Sequence, residues 1–295
     1  DLQDVRGYDS LFPAQYARYM RWIEPQNELL YNRIAPFTQF SSLDSPLTDL
    51  LNVKYIITEE EIPLPKYKLV YQDAAVRVYE NLGVTPRAFT LPATATLVAP
   101  DVEAVGQIVQ SHDPRFYAII EADFTVNVPT LPSSPTPATP LAQNVLTYQR
   151  NEVLIEATVD GPSWLILADS YFPGWKAFVR PPGTGEDAES EVPIARVAGN
   201  FRGVWLAESS VVRFKYSPDS VKVGAFVSFL AGMVIVFLAV VWVWRRAYRE
   251  QEGHSTVQRL AKNSVAPILL TLFNRVIELA FAALMLRILG PANTG

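Results

Sequence analysis

The chain has 295 residues, 49% of them hydrophobic, with a formal net charge of −5, no cysteine and two histidines. That length holds two soluble domains plus membrane segments, while the composition excludes disulfides and thiolate chemistry and offers His112 and His254 no second metal ligand, so neither metal nor cofactor is expected. The charge is split, a net −9 over residues 1–244 and +4 over residues 245–295; an acidic surface repels phosphate backbones, and nucleic acid is not an expected partner.

Residues 1–45 form an aromatic-rich segment. Tyr8, Phe12, Tyr16, Tyr19 and Trp22 recur at three- to four-residue spacing, which predicts short helices between Pro13, Pro25 and Pro36. Such rings either stack on sugars or pack against a neighbouring domain or the membrane interface, and packing is the simpler reading. Residues 46–127 read as a small α+β domain. SPLTDLLN (45–52) suits a short helix, VKYIIT (53–58) and RAFTLP (87–92) suit strands, and YKLVYQD (67–73) with AVRVYEN (75–81) suits a hairpin. Asp101 opens the helical run VEAVGQIVQS (102–111), where a carboxylate meets exposed amides. FYAIIEA (116–122) returns as a strand.

Residues 128–141 hold five prolines and no charge, and are expected to be a linker and a domain boundary. Residues 142–218 carry seven short β runs: VLTYQR, EVLIEATV, SWLILADSY, WKAFVR, PIARV, GVWLAE and VVRFKYS. Turn residues punctuate them, so the expected fold is an antiparallel β-sandwich, jelly-roll-like. The acidic stretch 181–191 between two of these runs reads as a solvated insertion.

Gly224–Trp244 is 21 residues long and uncharged, enough for a helix to cross about 30 Å of hydrocarbon. Its depth in the chain, with the charges after it, excludes a signal peptide. Arg245 and Arg246 follow at once, with Arg249, Arg259 and Lys262 in the short segment after them. The positive-inside bias then places residues 245–262 in the cytoplasm and residues 1–223 outside. A second apolar segment, 264–289, is expected to be another transmembrane helix, though it contains Asn274, Arg275, Glu278 and Arg287. Arg275 and Glu278 share a helix face and can pair. At membrane depth such groups face a bundle interior or a watery cavity; the other reading is an amphipathic helix lying in the interface. The chain starts on Asp1 and stops at Gly295 in mid-pattern, which reads as part of a longer protein.

Catalytic signatures are missing from the sequence. It contains no Gly-rich phosphate loop, HExxH, Gly-x-Ser-x-Gly or Cys/His cluster. The most distinctive string is DSYFPGW (169–175). Asp169, Tyr171 and Trp175 are candidate glycan contacts, two rings as a platform and a carboxylate for hydroxyls. The competing and preferred reading is structural, with Pro173-Gly174 as a turn and Trp175 capping the sandwich core.

Five strings occur in order: DVRGYDSL (4–11), LLNVKYIIT (50–58), YKLVYQDAAVRVYEN with PRAF (67–89), ADSYFPGWKAFV (168–179), and NFRGVWL with VVRFKYSPDSVKVG (200–224). Together they resemble the C-terminal extracytoplasmic region of YfhO-like bacterial membrane proteins. That resemblance implies kinship with GT-C type glycosyltransferases, which move a sugar from a polyprenyl-phosphate donor. The resemblance places the family's catalytic carboxylates among N-terminal membrane helices that are not in this sequence, so no catalytic residue is carried over. After Val179 the chain departs from the family pattern, with Arg180-Pro181 and the acidic insertion in place of an Asp-Gly turn. Residues 259–295 are similar to the first helix of polysaccharide flippases. The resemblances imply a non-catalytic extracytoplasmic and anchoring part of a multi-spanning bacterial cell-membrane protein for polysaccharide or glycolipid assembly. Its partners would be the lipid bilayer and a polyprenyl-phosphate-linked sugar. The alternative is a membrane-anchored carbohydrate-binding ectodomain without enzyme activity. Protease added to sealed cells should cut within 181–191; protection there would overturn the topology.

Overall fold

The computed structural model describes residues 5, 13–25, 37–124, 134–249, 271, 274, 275 and 278. The chain divides into two units, Asp1–Ser217 and Pro218–Gly295. In the first unit the helices are α1 (Ala14–Ile23), α2 (Phe40–Asp44), α3 (Pro46–Leu50) and α4 (Val102–Ser111). Their ends carry the chemistry that the sequence announces. The Asp101 carboxylate accepts from the Ala104 N–H at 2.8 Å, and the Ser45 hydroxyl accepts from the Leu47 N–H at 3.3 Å, with Pro46 at the first helical position.

The strands form three sheets. The smallest is antiparallel, in the order β1 (Tyr55–Thr58), β3 (Arg77–Asn81), β2 (Tyr67–Gln72). A seven-stranded sheet runs β5 (Thr96–Ala99), β6 (Ala118–Glu121), β13 (Ala195–Val197), β14 (Phe201–Leu206), β10 (Ser163–Ser170), β4 (Ala88–Pro92), β7 (Leu141–Ala142). Its β5–β6 pair is parallel and its other pairs are antiparallel. A five-stranded antiparallel sheet runs β12 (Ser190–Val192), β11 (Trp175–Arg180), β15 (Ser210–Tyr216), β9 (Glu152–Ala157), β8 (Asn144–Gln149).

The strand β10 explains how these layers are joined. Successive side chains of a strand point to opposite faces. Trp164, Ile166 and Ala168 enter one core, with Tyr19 and Met20 of α1, Leu47 and Leu50 of α3, and Val105 and Val109 of α4. Leu165 and Leu167 enter a second, with Val153 and Ile155 of β9, Ala177 of β11, and Val212 and Phe214 of β15. The seven-stranded sheet is thus covered by helices on one face and shares a core with the five-stranded sheet on the other. A strand buried on both faces is apolar at every position, which is why Trp164-Leu-Ile-Leu167 shows no alternation.

This arrangement corrects the expected boundary at 128–141. Strands from before it (β4, β5, β6) and after it (β7, β10, β13, β14) share one sheet, and β4 pairs directly with β10. Residues 46–127 and 142–218 are therefore not separate domains. The described part of the Pro-rich stretch is fastened down: the Thr136 N–H donates to the Thr94 carbonyl at 2.9 Å and the Ala138 N–H to the Phe116 carbonyl at 3.0 Å. Proline removes backbone donors but leaves the residues between free to bond a neighbouring segment. Residues 125–133 lie outside the described residues.

The aromatic segment packs inward where it is described. Tyr16 and Tyr19 are buried, and the Tyr19 hydroxyl donates to the Leu47 carbonyl at 2.8 Å. Trp22 is pressed onto two glycines. A Cβ at Gly106 would come within 2.8 Å of its indole nitrogen, and one at Gly199, whose φ is +70°, within 2.6 Å of its ring. Tyr8 and Phe12 lie outside the described residues.

Buried charge ties the small sheet to the rest of the unit. The Asp49 side chain on α3, 1% exposed, meets Lys66 at 3.0 Å and Arg115 at 2.8 Å. It also accepts from the Asn81 amide at 2.7 Å. The acidic insertion is tied in the same way, which corrects its reading as wholly solvated. Residues 181–188 are exposed, but the Glu189 side chain is 5% exposed and paired with Arg213 and Arg180. It fastens the loop to β15 before β12 begins.

In the second unit, α5 (Asp219–Arg249) contains, over Asp219–Arg246, the one helix among the described residues that is long and apolar enough to cross a membrane. None of its most apolar 18-residue window is buried. Arg275 and Glu278 pair at 3.1 Å with exposed side chains. The rest of the segment expected at 264–289, and residues 250–262, lie outside the described residues.

Glu24 gives this fold a pH dependence. Its side chain accepts hydrogen bonds from the Ser42 hydroxyl and from the Thr38 hydroxyl and N–H. Burial pushes its pKa up, and the bonds from Ser42 and Thr38 outweigh that and hold it below the usual carboxylate range. A depressed carboxylate adds stability that is complete above the unfolded value and is lost as pH falls through the folded one. Glu24→Gln should therefore cost about 1.5–3 kcal/mol at pH 7. In urea unfolding, the gap to the parent chain should narrow below roughly pH 4.

Candidate functional site

The candidate residues Asp169, Tyr171 and Trp175 flank the turn between β10 and β11. The β10–β14 pairing shifts register between Leu167 and Ser170, a bulge of the kind that re-aims a side chain where a ladder ends. Asp169 stands in that bulge with its side chain 12% exposed. Its Oδ1 accepts from Arg87 Nη1 at 3.0 Å and from the Tyr148 hydroxyl at 3.0 Å. Its Oδ2 lies 3.1 Å from the same hydroxyl and 3.6 Å from Arg202 Nη2.

Arg202 is the centre of the group. It projects from β14 toward the second core, where its neighbour Val204 also lies. Its Nε donates to the Ser170 carbonyl at 3.1 Å. Its guanidinium sits 3.7 Å from the centre of the Trp175 ring and 6.0 Å from that of Phe214, a stacked cation–π contact. Burial pushes the Arg202 pKa down to about 10, against the upward pull of Asp169, so the group is cationic at neutral pH. Arg87 completes the set, stacked 4.8 Å over the Tyr148 ring.

The structure thus joins Asp169 and Trp175 through Arg202, and the five side chains plug one end of the apolar interior shared by the two large sheets. Tyr171 goes elsewhere. Its N–H donates to the Asn200 carbonyl, its own carbonyl accepts from Gln15, and its ring meets Phe124 edge-on at 5.6 Å. Tyr171 therefore packs with Phe124, while Trp175 packs with Arg202 and Tyr216. Arg87, Tyr148 and the nearby Arg202 charge hold the Asp169 carboxylate, which ties three strands together.

Sequence reasoning missed Arg87, Tyr148 and Arg202. Arg87 is 82 residues from Asp169 and Tyr148 is 21 away, and no spacing rule links such positions. The other buried carboxylates are engaged as well. Glu121 takes a two-pronged contact from Arg196, and Asp49 and Glu189 hold two cations each. Among the described residues no three His, Cys, Asp or Glu side chains converge as a metal site would need. No family model, curated protein or solved structure matches the chain.

Asp169→Ala would leave the Arg202 charge buried with its main counter-ion gone. It should lower unfolding stability by about 3–5 kcal/mol, and adding Arg202→Met should recover part of that loss. Thermal and urea unfolding of the two single variants and the double variant measure the coupling.

Proposed function

We propose that this chain is the non-catalytic extracytoplasmic and anchoring part of a multi-spanning membrane protein that assembles cell-surface polysaccharide or glycolipid. The single observation that carries the reading is α5, an unburied apolar helix of spanning length that directly follows a β-rich unit. Gly224–Trp244 is then the span, residues 1–223 face outward, and the basic stretch 245–262 faces the cytoplasm. Residues 264–289 begin a second, flippase-like membrane module in the same reading.

The fold behind it is a β-sandwich formed between the seven- and five-stranded sheets, supported by the core to which both contribute. The parallel β5–β6 pair lies outside an antiparallel jelly roll. The substrate class, a sugar carried on polyprenyl phosphate, is supported by the ordered resemblance to YfhO-like proteins. Among the described residues the buried carboxylates are each engaged by hydrogen-bond donors or cations, which supports a structural role for those side chains.

Membranes from cells lacking the gene, supplied with a radiolabelled polyprenyl-phosphate sugar, should fail to pass label into lipid-linked or surface glycan. Restoring the whole gene should restore transfer. Equal transfer with and without the gene would defeat the reading, and glycan capture by the chain alongside it would favour the carbohydrate-binding ectodomain.

A further inference from the structure

The β-rich unit ends at Ser217, and its last residues are fastened to the turn that holds the candidate site. The Ser217 N–H donates to the Gly174 carbonyl at 2.8 Å, and Gly174 takes a φ of +101° that suits a residue without a Cβ. Three rings gather at this exit. The Tyr216 ring centre lies 5.4 Å from that of Trp175 and 6.5 Å from that of Phe172. Phe172 is 44% exposed, while Trp175 and Tyr216 are half-buried. The stacked Arg202 holds the indole from behind. In the neighbouring cross-strand pair Lys176 faces Lys215, and Lys215 is exposed. Lys176 is paired with Glu191 at 3.4 Å. The polar-tipped rings of Tyr216 and Trp175 and a long lysine such as Lys215 are side chains favoured where protein meets a lipid–water boundary, and Phe172 adds an exposed apolar ring beside them.

Chain length supplies an independent argument. Gly224, the first residue of the uncharged run, follows Ser217 by seven positions. Those residues span roughly 25 Å at most if fully extended. From Asp219 onward they are already helical, which shortens the reach to roughly 15 Å. The polar layer outside the hydrocarbon is itself about 5–8 Å thick on each side. The tether therefore keeps the exit close to that layer whatever the orientation of the rest of the unit.

We propose that Phe172 and Tyr216, backed by Trp175, form a rim that seats in the phospholipid headgroup layer, with Lys215 reaching the lipid phosphates. This rests on the reading of α5 as a membrane span. The rim would restrain the β-rich unit at its exit and stop it from swinging freely on its tether.

The chain has no cysteine, so a single introduced thiol is the only labelling site. Phe172→Cys, Lys215→Cys, Thr184→Cys and Val236→Cys variants of the whole chain would each carry one fluorophore in vesicles of phosphatidylcholine and phosphatidylglycerol. Lys215→Cys keeps all three rings in place. Headgroup-nitroxide lipid should quench the labels at 172 and 215 several-fold more than the label at 184, and aqueous iodide should show the reverse order. Equal quenching at 172, 215 and 184 would overturn the rim while leaving the span intact, provided acyl-chain nitroxides quench the label at 236. No acyl-chain quenching at 236 would overturn the span, and the rim with it.

Discussion

Burial of β10 on both faces is the constraint on which the rest of the first unit depends. Its even-numbered residues lie among the helices and its odd-numbered ones lie toward the five-stranded sheet, so neither core can form without it. Its run Trp164–Ala168 must therefore be apolar, and the strand sits in the interior of its sheet, between β14 and β4. One of those neighbours precedes the Pro-rich stretch and the other follows it. A strand with two buried faces thus unites regions that composition alone would separate.

At its far end β10 turns polar at Asp169 and Ser170, which are partly exposed beside the core shared by the two sheets. The chain closes that end with Asp169, Arg202, Arg87, Tyr148 and the Trp175 ring. Burying an arginine is costly, and here the cost is offset by a carboxylate, a backbone carbonyl and an aromatic face. The same device recurs at Asp49, Glu121 and Glu189, each linking segments distant in sequence. Carboxylates used in this way hold layers in register.

Much of the local structure was legible in the chain. The Asp101 cap, the Ser45-Pro46 helix start and the 67–81 hairpin follow from capping and β-propensity rules that act over a few residues. The seven β runs of 142–218 all became strands for the same reason. The partner strands β7 and β12 were not legible, since two or three residues show no period. Glu189 was missed because an acidic residue amid acidic, glycine-rich neighbours looks solvated until Arg180 and Arg213 are seen beside it. The candidate residues were half legible: the DSYFPGW string holds Asp169 and Trp175, but the arginines that pack against them come from other segments.

The sequence by itself determined most of the longer elements and the apolar helix, because caps, turn residues, side-chain alternation and an uncharged run of 21 residues act within a short window. Only the tertiary structure decided which elements share a core, that strands before and after the Pro-rich stretch share one sheet, and that Asp169 is a tie between two arginines. Those outcomes depend on strand order and on the meeting of side chains far apart in the chain. Pairing across such distances is set by the joint packing of all the layers, and no local pattern of residues encodes it.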